Sequence, residues 1–561
     1  MVENNSSWIV IRRLRLPILI IIVTFAISIL GMVLIPGQDA EGNVYHLSIF
    51  DAFYFVSYMA STIGFGESPY DFTYPQKLWV SFVIYLTVIG WFYGIGTIVA
   101  LIQDEVLHKE MVKSKFAKAV RNMNEPFILI FGYNSVTKAL IRKLNQLEMR
   151  MVVIDRNQQA IDALRLENYH PLIPAFSGDV FDPKMLEMAG IRKKNCRTAV
   201  ILFEDEQKNT RASLMCKHLN KRMKLIVRST SPQNSEFLET IGVEHIENPF
   251  EVISNRLYLA LTAPNLWLLE MWIYGHLLKI KEREVLPLGS YIIYGYGRMG
   301  RALEKGLGKA GVEYRFVDAK LSLREHDVSD SLYHEDEIEE KLIAAGIKKA
   351  AVVIAATRDD LINLAVIALA KKHNPSIYTI SRENELIDLQ IFKAARINRN
   401  YILDEIIINK TYNYLSMPLV NVFIGYLGRK DEAWGKRLVD RIVAKMGENP
   451  NLCEVRILEG EAFAAVRELQ KKRAITLDML GRRRENYQLK NDLLFLMVLR
   501  DGHPILLPPD HFEIAVGDEL LVICLEESHE DLKYILNNYY ELHYVMHGKE
   551  KITGISRYFI A

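Results

Sequence analysis

Cysteine is scarce. Only Cys196, Cys216, Cys453 and Cys524 occur in 561 residues, and none forms a CxxC pair. That spacing excludes a disulfide framework and a structural zinc site, and reads as buried thiols in a reducing compartment. Net charge is almost absent too: 69 Lys and Arg oppose 68 Asp and Glu, a formal charge of +1. No global field draws this chain to nucleic acid. No His lies in an HExxH pattern, so that zinc-protease signature is missing. Hydrophobic residues make up 50% of the chain, high for a soluble protein and low for a multi-span transporter. A small membrane part and a large soluble part follow, with length suggesting three or four domains.

Long uncharged apolar runs are few, and two are informative. Leu16 to Ile35 follows Arg12, Arg13 and Arg15 and has the length of a spanning helix. A signal peptide has the same basic start, but its apolar core is shorter and a small-residue cleavage site follows it. Leu78 to Ile102 is the second run, followed by Lys109, Lys113, Lys115, Lys118 and Arg121. Basic flanks stay in the cytoplasm. The expected topology is therefore multi-pass in the plasma (inner) membrane, surrounded by lipid, with both termini inside and the intervening segment entering and returning from outside.

That segment holds Thr62-Ile63-Gly64-Phe65-Gly66-Glu67. Alternating glycines reach left-handed backbone angles, which lets successive carbonyls line a pore. Ser48-Ile49-Phe50-Asp51 predicts a capped helix start, with the helix running to about Ser61. Its carboxyl end would aim partial negative charge at a cation. Asp39, Glu41, Glu67 and Asp71 outnumber Lys77 on the same side; they either attract cations to the mouth or are simply solvated. The stretch resembles the TVGYG filter of potassium channels, in which four chains contribute carbonyls that replace the ion's water shell. The resemblance implies a filter of Thr62, Ile63, Gly64, Phe65 and Gly66, in which Phe65 lacks a bracing hydroxyl.

The soluble part repeats. Phe127 to Phe131, then Gly132, a helical stretch, Met151 to Ile154 and Asp155 form one copy. Tyr291 to Tyr294, Gly295, a helical stretch, Arg315 to Val317 and Asp318 form the other, and in both the acid lies 23 residues after the glycine (155 − 132 and 318 − 295). Strands alternating with helices predict two doubly wound parallel sheets. The second copy keeps Gly295-Tyr296-Gly297-Arg298-Met299-Gly300. Its glycines suit the turn, close approach to a pyrophosphate, and helix packing, and Asp318 suits ribose hydroxyls, favouring NAD over NADP. The first copy reads Gly132-Tyr133-Asn134-Ser135-Val136-Thr137 and retains Asp155. Two readings stay open there: a second site for a smaller adenine nucleotide such as ADP, or a fold relic that builds an interface. The helix face Phe250, Ile253, Leu257 and Leu261 either crosses to a partner domain or covers its own sheet.

Together these features resemble the prokaryotic two-span potassium channels with tandem RCK (regulator of potassium conductance) domains, most closely the multi-ligand-gated, GsuK-like type. Tyr93-Gly94-Ile95-Gly96-Thr97 is similar to their inner helix, which implies a gating hinge at Gly94; Gly90 and Gly94 also fit a close helix contact. Leu101 and Ala100 would then lie near the inner gate. The resemblance implies a membrane α-helical pore fused to two Rossmann-like α/β RCK domains with a small α+β carboxyl-terminal lobe of TrkA-C type. It also implies a homotetramer with an RCK gating ring, K+ as permeant ion, and calcium modulation. For calcium, Glu204-Asp205-Glu206 and Glu335-Asp336-Glu337 are candidates, although they lack EF-hand spacing and read equally as charged loops. The partition expected is a pore domain over 1–105, a linker over 106–125, and RCK parts over 126–286 and 287–409. A lobe over 410–545 and a tail over 546–561 complete it. The function expected is a ligand-gated potassium channel and no enzyme. The alternatives are a membrane-tethered NAD-dependent oxidoreductase, for which no proton-transfer set is recognisable, and a regulatory subunit of a potassium transporter, which would lack a pore loop.

Overall fold

The computed structural model describes residues 5–550 except 68, 278, 281–285, 319–334 and 385–388, and only the backbone at 5–13, 101, 102, 105, 107, 335, 336 and 389. The side chains of Arg12, Arg13, Leu101, Glu335 and Asp336, and the tail beyond 550, therefore lie outside the described residues. Two compact units form: residues 1–125 with 174–176 and 186–190, and the remainder.

The first unit has two long helices, Asn5–Leu34 and Tyr74–Ile102, joined through a two-strand hairpin and the helix Ile49–Ala60. Leu14–Leu34 and Tyr74–Ala100 are long and apolar enough to cross a membrane. They touch closely: a Cβ on Gly31 would fall 2.1 Å from the Trp79 ring. Met32, Ala52, Phe55, Val56 and Phe72 form the core beneath the short helix. That helix starts where expected, with the Ser48 hydroxyl accepting from the Asp51 N–H at 3.1 Å and donating to its carboxylate at 2.6 Å. The expected linker region forms the helix Glu105–Asn122, whose many charges mask a helical pattern in the sequence.

In the second unit the repeat is visible strand for strand. Arg150–Asp155, Phe127–Phe131, Cys196–Ile201, Lys224–Arg228 and His245–Glu247 lie side by side, all parallel. Tyr314–Val317, Tyr291–Tyr294, Val352–Ala355, Tyr378–Glu383 and Arg399–Ile402 repeat that order. Strand order reverses beside the first strand of each copy, and the glycine loops sit at that switch point.

Each copy then sends a helix to the other. Pro249–Thr262 packs on Arg298–Ala310, so closely that a Cβ on Gly306 would fall 2.7 Å from the Ser254 carbonyl. Leu403–Ser416 packs on Ser135–Gln146, where Lys143 Nζ donates to Asn409 Oδ1 at 2.6 Å. The apolar face with Phe250, Ile253 and Leu257 thus crosses to a partner domain in the same chain. Leu403–Ser416 also runs through the boundary expected at 409/410, because one helix serves both sides of it. Beyond it, Asn451–Arg456, Glu519–Cys524, Leu493–Arg500 and His503–Leu506 form an antiparallel sheet covered by helices. Cys453 and Cys524 meet in its core with their sulfurs 3.4 Å apart, as free thiols.

Candidate functional site

In the second copy the buried strand Tyr291–Tyr294 ends at Gly295, whose φ of +105° is in the range that favours glycine. A Cβ on Gly297, the helix cap, would meet nothing within 4 Å, whereas one on Gly300 would lie 2.3 Å from the Gly295 carbonyl oxygen. Turn, open approach and close helix contact are thus divided among the three glycines. No side chain caps the helix Arg298–Ala310, so its first N–H groups point into open space with the positive end of the helix dipole. Asp318, just beyond the adjacent strand, accepts the Tyr296 N–H at 2.6 Å and fixes the loop. The Tyr296 hydroxyl turns aside to Glu304 at 2.7 Å, and Met299 is buried in the core.

Above this loop lies a cavity of about 460 Å³ lined by Gly295, Gly297, Asp318 and the four basic residues Arg298, Arg301, Arg358 and Arg382. Arg382 is only 7% exposed. Burial, together with Arg298 and Arg358, lowers its pKa to about 10. Burial also lowers that of Arg298, as does Arg358. The Nε atoms of Arg298 and Arg382 have no hydrogen-bond partner among the described residues. A buried guanidinium N–H left without a partner is costly, and an anion in the cavity would relieve that cost. The sequence reading found Arg298 but missed Arg301, Arg358 and Arg382. A signal existed for Arg358, which follows the strand Val352–Ala355 at the switch point.

The first copy has the same framework and a different helix end. Gly132 has φ +83°, and Asp155 accepts the Tyr133 N–H at 2.6 Å. Here, however, Asn134 Oδ1 accepts the Thr137 N–H and Thr137 Oγ1 accepts the Asn134 N–H, both at 2.9 Å. Asn134 also donates to the Leu202 carbonyl at 3.1 Å. The helix begins at Ser135 already closed by its own capping box. Donors left open in the second copy are occupied in the first.

In the other unit, Thr62, Gly64 and Gly66 have φ of +62°, +66° and +101°, with Ile63 and Phe65 between them. Alternation of handedness of this kind is what lets successive carbonyls turn toward one side. The Tyr58 hydroxyl donates to the Gly66 carbonyl and its ring lies 5.6 Å from that of Phe65. A brace that Phe65 lacks thus comes from the short helix, which the sequence reading did not foresee. Glu67 accepts the Phe72 N–H at 2.5 Å and lies 3.5 Å from Lys77, so it holds the loop as well as carrying charge. Gly94 lies inside an unbroken helix, where a Cβ would fall 2.4 Å from Ile21 Cδ1. Its missing side chain thus permits the close approach of Ile21.

Among the acidic candidates, Asp205 caps the helix Glu206–Leu219, and Glu206 accepts from the Thr230 N–H and hydroxyl at 2.6 and 2.7 Å. Both hold structure and are not free loop charges. Among the described residues, Glu526, His529 and Glu530 each bring a donor atom within 4.8 Å of the others.

The TrkA-N domain family profile matches residues 128–249 and 291–403. An uncharacterized protein of Methanothermus fervidus is 24% identical over 242 residues, 43% of this chain and 37% of that protein. The chain thus spans little more than a third of that relative. Potassium channel protein 1 of Methanocaldococcus jannaschii is 22% identical over 240 residues, covering 43% of this chain and 68% of that one. Among solved structures, the GsuK channel aligns with a TM-score of 0.50 at 16% identity, over 94% of this chain and 99% of that one. Residues 128–249 and 291–403 are thus two TrkA-N domains, and the chain shares the fold of the GsuK channel.

Proposed function

We propose that the chain is a ligand-gated potassium channel in which a nucleotide, NAD or ADP, binds the second TrkA-N copy and shifts a tetrameric pore between closed and open. The observation that carries this reading is the alternation of left-handed residues at Thr62, Gly64 and Gly66 between two membrane-length helices. Four such loops around one axis would supply the carbonyl rings that strip water from K+. The nucleotide part rests on the open helix end at Gly297, the four arginines and Asp318. Pyrophosphate would take the helix N–H groups and the guanidinium charges, and Asp318 the ribose hydroxyls. A ligand acts on the pore only by binding one state more tightly. The helix Glu105–Asn122 gives a short covalent route, since only residues 123–126 separate it from the strand Phe127–Phe131. The first copy, capped by Asn134 and Thr137, carries no pyrophosphate in this reading. Bilayer recording of the purified chain with NAD, ADP and calcium applied separately tests it. A nucleotide-dependent K+ current is expected, and no current under any of the three would refute it.

A further inference from the structure

The nucleotide cavity does not end at its arginines. On the far side of Arg298 and Arg301 lies a second cavity of about 450 Å³, which shares those two residues with the first and is otherwise lined by different ones. Its remaining walls come from both copies: Thr230, Asn248, Phe250 and Glu251 from the first, Ala302 and Lys305 from the second. The boundary between the two cavities is fixed. Arg298 donates to the Thr230 hydroxyl, and the Phe250 ring, 4% exposed, lies 5.4 Å from the Arg298 guanidinium and 5.6 Å from that of Arg382. A third, more polar cavity of about 650 Å³ also touches Arg298 and Arg301. Glu204, Asp205 and Glu206 line it beside Arg298, Arg301 and Arg358, so its acids offset the guanidinium charge there.

A mononucleotide needs one such compartment. A dinucleotide is two nucleosides joined by pyrophosphate, and here two compartments of nearly equal size meet at a pair of arginines. Given the nucleotide reading above, on which this inference rests, we infer that a nicotinamide dinucleotide occupies both cavities. Its adenosine half lies beside Gly295 and Asp318, its pyrophosphate lies at Arg298 and Arg301, and its second nucleoside lies between the two copies. Gln233, Asn255 and Glu251, which also line it, offer the amide and carboxylate groups that suit a ribose and a carboxamide. ADP fills the first cavity only. The dinucleotide therefore contacts both copies where ADP contacts one, and the first copy acts as part of the site although its own glycine loop is closed.

Titration calorimetry of the full chain in detergent, with NAD and with ADP, tests this. Ala302→Phe and Glu251→Trp fill the second cavity from opposite walls. Each is expected to weaken NAD at least tenfold and to change ADP less than twofold; retained ADP binding also shows that the variant is folded. If the wild-type chain binds neither ligand, the nucleotide reading itself falls and this inference with it. If the wild type binds both, and the two variants leave both unchanged or weaken both alike, the second compartment alone is overturned.

Discussion

Asp318 makes the residue-scale argument concrete, because its position combines a structural and a ligand role. Its carboxylate holds the Tyr296 N–H at 2.6 Å, a bond that an amide oxygen can also accept, whereas only the ionised form strengthens a bond to a ribose hydroxyl. Asp318→Asn is therefore expected to keep the loop and weaken NAD. Loss of a charge-assisted bond costs about 1.5–3 kcal/mol, roughly 10- to 100-fold in Kd; unaltered NAD affinity would remove Asp318 from the site. The mirror residue test lies in the first copy. Asn134→Ala removes a cap worth about 1 kcal/mol, so the midpoint of thermal unfolding should fall while nucleotide stoichiometry stays the same. A gain of a second bound nucleotide would show that the cap blocks a latent site. The glycine loop and Asp318 were legible in the sequence because backbone geometry demands those residue types at those offsets. Arg301, Arg358 and Arg382 were not, since they meet from one helix and two different strand ends. No local pattern encodes that meeting.

Among the elements, the paired helices that cross between the copies explain how one chain joins its two TrkA-N copies into one compact unit. The helix Pro264–Ile273 starts on Glu432, which accepts the Asn265 N–H at 3.0 Å. Its counterpart Pro418–Leu427 starts on Glu454, which accepts the Leu419 N–H at 2.7 Å. Burial raises the pKa of Glu454 to about 7, outweighing the two backbone bonds from Leu419 and Val420 that lower it. The folded pKa thus lies above the ordinary 4.5. The folded state holds the proton more tightly, so this stabilising contribution is complete below about pH 4.5 and is lost as pH rises through about 7. Thermal unfolding of the full chain should show that loss, and Glu454→Gln should flatten it; an identical pH profile in the variant would contradict the assignment. The strands of both copies could be read from apolar runs and their repeat spacing. The exchange of helices could not, because Lys143 meets Asn409 across 266 residues. Charge along Glu105–Asn122 likewise hid the helical form of the expected linker region.

For the whole molecule, the proposal joins two parts that do different work. In that proposal the loop from Thr62 to Gly66 would decide which ion passes, and the cavity at Gly295, extended by the first copy's walls, would decide when. The two membrane-length helices were legible because long uncharged apolar runs have few other uses. The bracing of that loop by Tyr58 and Glu67 was not, because it depends on how the chain returns on itself. Four loops are needed for one pore, so selectivity and nucleotide response should appear together only in an assembled tetramer. The most direct test is the reversal potential of the reconstituted chain under a potassium gradient, recorded before and after NAD. A reversal potential that follows the K+ equilibrium potential, with a current that changes on addition of NAD, is the expected result. A reversal potential insensitive to the potassium gradient, or a potassium current that neither NAD nor ADP alters, would contradict it.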